Sequence, residues 1–295
     1  MSQPTIIDGK TVANAVIEEV RQGAEKLIAE RGTRPGLAVV LVGDDPASAT
    51  YVRSKEKMCE NLGFHSVTHR LPAETAEGDL LELIAALNAD PAIHGILVQS
   101  PIPSHIDYER VVEAIDYRKD VDGFHPVNVG RMVIGLPAQE SCTPAGVLEM
   151  LKYYKIPTSG KRVVVIGRSN IVGKPLANML MQKREGGNAI VTVAHSAADD
   201  LAAITREADI VIAAIGRPRY ITADMVRDGA VVIDVGINRV DDAASARGYR
   251  IVGDVDFENV APKCSAITPV PGGVGLMTIA MLMTNTLRSA RGDFK

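Results

Sequence analysis

Short apolar segments rich in β-branched residues alternate with amphipathic stretches along the chain. The segments have the length of strands and are apolar on both faces, which predicts strands covered by helices on each side. Strands and helices that alternate in this way form parallel sheets with right-handed crossovers. The predicted strands are Leu37–Val42, Gly95–Val98, Val163–Ile166, Ile190–Val193, Ile210–Ile215 and Ala230–Val235, and the clearest helices are Ala13–Ala29, Ala47–Leu62, Asp79–Leu87 and Pro175–Gln182.

The chain has 295 residues, which is more than one hydrophobic core usually contains, so we expect two lobes. Pro144 suits the first turn of a helix that leads into the second lobe. The last apolar segment, Gly275–Ala290, is predicted to be a helix that returns to the first lobe. We therefore expect an α/β protein in which residues 1–143 and 272–295 form the first domain and residues 144–271 form the second.

Charge and composition exclude several classes of function. The net charge is -4 at pH 7, so the chain lacks the basic field that attracts nucleic acid or anionic lipid. No apolar segment approaches the ~20 residues that cross a bilayer, and the opening residues do not resemble a signal peptide. Cys59, Cys142 and Cys264 are too few and too far apart for a disulfide framework. We expect free thiols that serve packing, a cytoplasmic location, and neither a nucleic-acid nor a membrane partner.

A turn between a strand and a helix in the second domain has the features of a phosphate site. The strand ends at Gly167, and a helix begins near Gly173 and Pro175 after a loop that contains Arg168 and Ser169. Free N–H groups and the helix dipole favour a phosphate at such a junction. The spacing differs from both G-x-G-x-x-G and the Walker loop. The pattern indicates a variant dinucleotide site, although a turn that needs glycine only for packing has the same sequence features.

The end of the next strand favours NADP over NAD. An NAD enzyme places an acidic residue there to bind the ribose 2′-hydroxyl. Here the strand is followed by Ala194, His195 and Ser196. A hydroxyl and the guanidinium of Arg168 suit a 2′-phosphate, which a carboxylate would repel. We therefore expect NADP as the cofactor.

Polar residues of the first domain suggest acid–base chemistry. Tyr51 and Lys55 are four residues apart on a predicted helix and project from one face, and a lysine shielded from water can transfer protons near pH 7. Gln99 follows a buried strand and can donate and accept together. An aspartate on the Lys119–Phe124 turn can accept paired N–H bonds from an aminopyrimidine-like ring. The simpler interpretations are a surface lysine beside a half-buried tyrosine, a glutamine that caps backbone, and a turn capped by Asp120.

Other motifs are less specific. His65 and His69 suit a shared metal only on a helix, but Phe64–Arg70 is predicted to be a strand, which separates them by ~13 Å. The Lys119–Phe124 segment differs from a calcium loop because its glycine comes too early and no glutamate completes the ligand set. We therefore expect no metal. The glycines of segment 269–275 let backbone approach a ligand, although such a loop also simply starts a helix.

Together these segments resemble the methylenetetrahydrofolate dehydrogenase/cyclohydrolase family, the bifunctional FolD enzymes. They occur in the family's order, from near residue 40 to the last helix, and their joint occurrence is highly specific. Ser100 and Leu276 replace a commoner leucine and proline, and neither change removes a reacting group. The motifs are Ala47-Ser48-x-x-Tyr51-Val-x-x-Lys55, Gly95-Ile-Leu-Val-Gln99-x-Pro101-Ile-Pro103, Lys119-Asp120-Val-Asp122-Gly123, Gly167-Arg168-Ser169-x-x-Val172-Gly173-x-Pro175 and Pro269-Val-Pro271-Gly272-Gly273-Val-Gly275.

The resemblance implies oxidation of 5,10-methylenetetrahydrofolate by NADP, then hydrolysis to 10-formyltetrahydrofolate. It implies a catalytic folate-binding first domain completed by the C-terminal helix, a Rossmann-like NADP-binding second domain, and a homodimer formed through the latter. By motif match, Lys55 is the catalytic lysine, Tyr51 stacks on the folate, Gln99 tunes Lys55 and Asp122 holds the pterin. The implied contacts are Pro271, Gly272 and Gly273 for folate, and Gly167, Arg168, Ser169, Gly173, Ser196 and Ile237 for NADP.

Two other interpretations remain open. A dehydrogenase that has lost the hydrolase step would need fewer of the first-domain residues than are present. A non-catalytic NADPH-binding regulator would need only the cofactor motif.

Overall fold

The computed structural model describes residues 3–245 and 248–294. Their contacts form two compact units. Of the described residues, the three-stranded unit comprises those of 15–142 and 279–294. The six-stranded unit comprises those of 3–14 and 143–278. Each unit has a sheet of its own, so each is described separately.

Parallel strands make up both sheets, as predicted. The three-stranded sheet has the order β3-β2-β4, and the six-stranded sheet has the order β1-β11-β8-β7-β5-β6. The chain reverses its direction of progress between β5 and β7, as in doubly wound dinucleotide-binding folds. The strands are β1 (Thr5–Ile6), β2 (Gly36–Val42), β3 (His65–Leu71), β4 (Gly95–Val98), β5 (Arg162–Ile166), β6 (Ile190–Ala194), β7 (Ile210–Ala213), β8 (Val231–Asp234), the antiparallel hairpin of β9 (Asn238–Asp241) and β10 (Tyr249–Val252), and β11 (Ala266–Ile267).

The N-terminal residues belong to a different unit from the one predicted. Residues 1–14 and 272–278 are part of the first domain that we predicted from the sequence, which comprised residues 1–143 and 272–295. In the structure Thr5 and Ile6 pair in parallel with Ala266 and Ile267, so this end of the chain extends the six-stranded sheet. A two-residue strand has too little pattern of its own to be predicted.

Capping residues explain where the helix that carries Tyr51 and Lys55 begins and ends. Asp45 accepts the N–H of Ser48 at 2.7 Å, Pro46 occupies the first turn, and Gly63 ends the helix with φ 66°, a conformation that favours glycine. The helices are α1 (Gly9–Arg31), α2 (Pro46–Leu62), α3 (Glu77–Ala89), α4 (Tyr108–Ala114), α5 (Pro126–Val133), α6 (Cys142–Tyr153), α7 (Gly173–Met181), α8 (Leu201–Arg206), α9 (Phe257–Val260) and α10 (Met277–Arg291).

β6 is more exposed to solvent than the other predicted strands. Every residue of β2, β4, β7 and β8 is buried, as expected for strands covered on both faces. β6 lies at the edge of its sheet, with Ile190 62% and Val193 43% exposed. The prediction that helices cover both faces is therefore wrong for β6.

Within the described part of the chain, no helix is long and apolar enough to span a membrane.

Candidate active site

Lys55 lies on α2 and is buried, with only 7% of the residue exposed. Its Nζ donates a hydrogen bond of 2.8 Å to Oε1 of Gln99. Burial lowers the pKa of Lys55, because the ammonium loses hydration that the neutral amine needs less. The negative charge of Asp122 acts in the opposite direction. The alternative interpretation of Lys55 as a surface lysine is therefore wrong.

Gln99 performs both functions that were considered for it. Its Oε1 accepts from Lys55, and its Nε2 donates to the backbone oxygen of Ser100 at 2.7 Å. The second bond fixes which end of the amide faces the lysine. Tyr51 lies one turn before Lys55 on α2 and is 50% exposed, so its ring is available for stacking.

Asp122 follows the Lys119–Asp120 turn and is half-buried. Burial raises its pKa to about 6, the positive charge of Lys55 opposes that rise, and the charge of Asp120 adds to it. Asp120 itself accepts the N–H of His125 at 2.8 Å and the amide of Asn128 at 2.9 Å. Asp120 thus caps the turn, as one interpretation held, and leaves Asp122 beside the lysine.

Sequence reasoning missed the hydrogen bonds that two side chains make to Val121, the residue before Asp122. Asn285 of α10 donates to the backbone oxygens of Val121 and Glu140, each at 2.9 Å, and thereby attaches the C-terminal helix to this turn. Cys142 donates to the Val121 oxygen at 3.3 Å, and burial, together with the Asp122 charge, raises its pKa well above the usual range. The thiol stays protonated, as expected of a packing cysteine. One asparagine in an apolar helix carries no signal of such a partner.

In the six-stranded unit, the turn after β5 is close-packed in the predicted way. Gly167 has φ 128°, and a Cβ atom there would overlap the oxygen of Ala214. A Cβ atom at Gly173 would overlap the oxygen of Gly167. Ser169 Oγ accepts the N–H groups of Val172 and Gly173 at 3.2 and 3.3 Å. The serine hydroxyl therefore shapes the start of α7, a role that the sequence did not suggest.

Three exposed side chains lie at the carboxyl edge of this sheet. Ile166 of β5 pairs with Ala194 of β6, and both Arg168 and Ser196, two residues further on, are exposed. Ile237 follows β8 and is 54% exposed. Ligands of doubly wound sheets bind at this edge.

The glycine-rich loop 269–275 is held by the start of α1. The backbone N–H of Gly9 donates to the Gly272 oxygen at 2.9 Å, and a Cβ atom at Gly9 would overlap the Gly273 oxygen. Gly272 has φ 104°, and a Cβ atom at Gly273 would overlap the oxygen of Pro269. The contact of this loop with the start of α1 therefore requires glycine at Gly9, which the sequence did not reveal.

No metal cluster is found in the residues that the structure describes: none of their histidine, cysteine, aspartate and glutamate side chains form a group of three or more able to bind an ion. His65 and His69 lie on β3, so the predicted strand is confirmed.

Comparison with known families decides what this arrangement is. The model of the tetrahydrofolate dehydrogenase/cyclohydrolase catalytic domain matches residues 7–122, and the model of the NAD(P)-binding domain of the same family matches residues 141–294. The chain belongs to this family. The bifunctional protein FolD of Chlorobium phaeobacteroides strain BS1 is 58% identical over 97% of this chain and 96% of its own length.

Solved structures of other family members extend this similarity to the fold. The bifunctional FolD enzyme of Campylobacter jejuni is 48% identical, with a TM-score of 0.92 over 98% of this chain and 99% of its own. The FolD enzyme of Trypanosoma brucei, solved with NADP cofactor and an inhibitor, is 39% identical, with a TM-score of 0.93 over the full length of both chains. The α/β fold expected from the resemblance is confirmed.

Proposed function

We propose that the chain oxidises 5,10-methylenetetrahydrofolate to 5,10-methenyltetrahydrofolate with NADP and then hydrolyses this product to 10-formyltetrahydrofolate. The observation that carries the proposal is a buried lysine, Lys55, whose ammonium is bonded to Gln99 and faces the charge of Asp122. A family member that had lost the hydrolase step would have no use for this costly burial of a charged group.

The oxidation step requires positioning rather than a protein nucleophile. Bound NADP would supply the acceptor for the hydride that leaves the methylene carbon. Holding two reactants in place supplies roughly 7–11 kcal/mol of such a barrier. In this proposal Tyr51 stacks on the folate, and Asp122 accepts N–H bonds from the pterin. The backbone of Pro271, Gly272 and Gly273 lines the folate site.

The hydrolysis step requires a proton acceptor and then a donor. Neutral Lys55 removes one proton from the water that attacks the methenyl carbon. When the hydroxyl adduct collapses to the formyl group, its remaining proton passes to solvent, the bond to the ring nitrogen breaks, and the lysine ammonium returns the first proton to that nitrogen. A lowered pKa makes the neutral amine of Lys55 easier to reach than that of an exposed lysine, and one such group contributes of order 10²–10⁴-fold. Gln99 tunes the step because its oxygen stabilises the ammonium form.

The six-stranded unit supplies the cofactor contacts in this proposal. The close-packed turn of Gly167 and Gly173, which includes Ser169, receives the pyrophosphate at the start of α7. Arg168 and Ser196 bind the 2′-phosphate, and Ile237 contacts the cofactor further along the same edge. Replacement Arg168→Ala is expected to weaken NADP binding at least tenfold, as a rough figure for a lost charged contact, and to leave NAD binding unchanged. Fluorescence titration with both nucleotides tests this.

Replacement Lys55→Met tests the hydrolase assignment. We expect no conversion of methenyltetrahydrofolate to the formyl product, with NADP affinity unchanged. Lys57→Met is the matched control, because Lys57 lies on the same helix and is exposed. Full hydrolysis by the Lys55 variant would refute the role of the lysine. Accumulation of methenyl product by the unmodified enzyme would instead favour the dehydrogenase alternative.

We also propose that the chain forms a homodimer through the six-stranded unit. β6 is an edge strand with exposed Ile190 and Val193, and an uncovered apolar edge favours association. Val193→Lys should yield a monomer in sedimentation velocity. Ile134→Lys, which changes a 71% exposed isoleucine elsewhere, should leave the dimer intact, and a Val193→Lys dimer would contradict this interface.

A cytoplasmic location completes the proposal. All three cysteines are free and buried, as suits a reducing compartment. Fractionation of cells that express the tagged chain would test it, and recovery from an oxidising compartment would contradict it.

A further inference from the structure

Two buried carboxylates lie at the carboxyl edge of the six-stranded sheet. Asp234 is the last residue of β8, and Asp254 follows β10. Asp234 is 3% exposed and Asp254 is 0% exposed. Buried carboxylates are costly unless they are fully hydrogen-bonded, and the proposed chemistry does not use either one.

Asp254 connects the loops that follow two neighbouring strands. Its Oδ2 accepts the N–H groups of Ile215 and Gly216, which follow β7, at 2.7 and 2.9 Å. Its Oδ1 accepts the side-chain amide of Asn238, which lies beyond β8, at 2.8 Å. One carboxylate therefore fixes the distance between the two loops.

Asp234 holds Asp254 in place from the other side. Its Oδ1 accepts the N–H groups of Gly236 and Asp254, and its Oδ2 accepts that of Val255, all at 2.9 Å. A Cβ atom at Gly236 would overlap the carboxylate of Asp254, and one at Gly253 would overlap the carboxylate of Asp234. The two carboxylates therefore occupy space that only glycine leaves free.

We infer that Asp234 and Asp254 are positioning residues for the nicotinamide half of the cofactor. In a doubly wound sheet the turn after β5 binds the pyrophosphate and the end of β6 binds the adenosine ribose, so the loops after β7 and β8 receive the other half. Those are the loops that the carboxylates hold, and exposed Ile237 lies between Gly236 and Asn238. The inference rests on the proposed binding of NADP.

A reversal of one hydrogen bond tests the inference. Asn238→Asp places a second carboxylate against Asp254, and we expect NADP to bind at least roughly tenfold more weakly. The double variant Asp254→Asn with Asn238→Asp restores this hydrogen bond in the reverse direction: the new amide N–H at position 254 donates to the new carboxylate at position 238. The new amide oxygen at position 254 still accepts from the loop after β7. Its NADP affinity should return to near that of the unmodified chain.

Binding of adenosine 2′,5′-bisphosphate, which lacks the nicotinamide half, separates positioning from general damage. Both variants should bind it as the unmodified chain does. Asp209→Asn is the matched control, because Asp209 also accepts a backbone N–H but lies at the opposite end of β7, and it should leave both affinities unchanged. Should Asn238→Asp fail to fold, Asn238→Ala removes the donor without adding charge and is expected to weaken only NADP binding.

The outcomes separate the two claims. An unmodified chain that does not bind NADP would refute the proposed function. With normal NADP binding by the unmodified chain, an unchanged affinity in Asn238→Asp would overturn the present inference. The inference would also be overturned if Asn238→Asp lost affinity for adenosine 2′,5′-bisphosphate as much as for NADP, or if the double variant folded but did not regain its NADP affinity.

Discussion

The hydrogen bond between Gln99 and Lys55 should set the pKa of the lysine, and two substitutions of Gln99 should move that pKa in opposite directions. A bond to a charged group contributes about 1.5–3 kcal/mol, and one between neutral groups about 1 kcal/mol. Loss of the acceptor in Gln99→Met therefore costs the ammonium about 1 kcal/mol more than it costs the amine. Since one pKa unit corresponds to about 1.4 kcal/mol, the pKa of Lys55 should fall by about one unit.

Gln99→Glu places a carboxylate at the position of the oxygen that now lies 2.8 Å from Lys55 Nζ. An opposite charge at such a distance raises the pKa of a lysine by about 1–3 units. Because the neutral amine acts as the base, the acid limb of the pH profile should move to higher pH in this variant and to lower pH in Gln99→Met.

The assay is the pH dependence of kcat/KM for hydrolysis of methenyltetrahydrofolate without cofactor, which reports groups of the free enzyme. Gln22→Met, at an exposed glutamine of α1, is the control and should not shift the profile. A general disturbance of the loop at Ser100 would affect both Gln99 variants alike. Shifts of the same sign in both variants, or no shift in either, would therefore refute the proposed coupling.

Three further predictions concern stability and cofactor binding. Gly167→Ala should abolish NADP binding, because its Cβ atom would overlap a backbone oxygen. The control Gly160→Ala changes a glycine that also has positive φ but open surroundings, and it should lower the free energy of thermal unfolding by only about 1–2 kcal/mol. Normal NADP affinity in Gly167→Ala would contradict the close packing. Asn285→Ala should lower the free energy of unfolding in urea by about 2 kcal/mol, since it removes the donor of two buried bonds; a change below about 0.5 kcal/mol would show that water replaces them. Asp122 holds its proton up to about pH 6 in the folded chain and to about pH 4 in the unfolded chain. Its contribution to the free energy of unfolding therefore falls by about 3 kcal/mol as the pH rises from about 4 to about 6. Asp122→Asn should flatten the dependence of that free energy on pH, measured by urea unfolding, and an unchanged slope would exclude burial of this carboxyl as its cause.

Local sequence patterns predicted most of the strands and helices of both units. β4 begins and ends where the apolar run does, because a buried strand and its flanking turns leave their marks within a few residues of one another. β1 escaped prediction because its two residues pair with β11 across the length of the chain. The exposure of β6 escaped it too, since an apolar run does not reveal whether a helix covers it.

The candidate site was predictable only as far as residue types indicate chemistry. Lys55 and Tyr51 share a helical face, which spacing shows, but burial of the lysine depends on the surrounding fold. Asn285 and Gly9 act on segments distant in the sequence, and neither lies in a motif. Positions of this kind depend on long-range contacts, so a single sequence contains no local signal for them.

Burial has opposite consequences for the two ionisable groups at the centre of the site, and that difference gives each its use. Burial lowers the pKa of Lys55 and raises that of Asp122, since each charge loses hydration. Each charge also partly offsets the loss for the other. At neutral pH Asp122, with a pKa of about 6, is mainly ionised and can accept N–H bonds, while the lowered pKa of Lys55 makes loss of its proton less costly than for an exposed lysine. A fully exposed pair would hold the lysine protonated, and a pair buried without mutual attraction would lose both charges. Burial of Lys55 beside the charge of half-buried Asp122 lets one group bind while the other transfers protons.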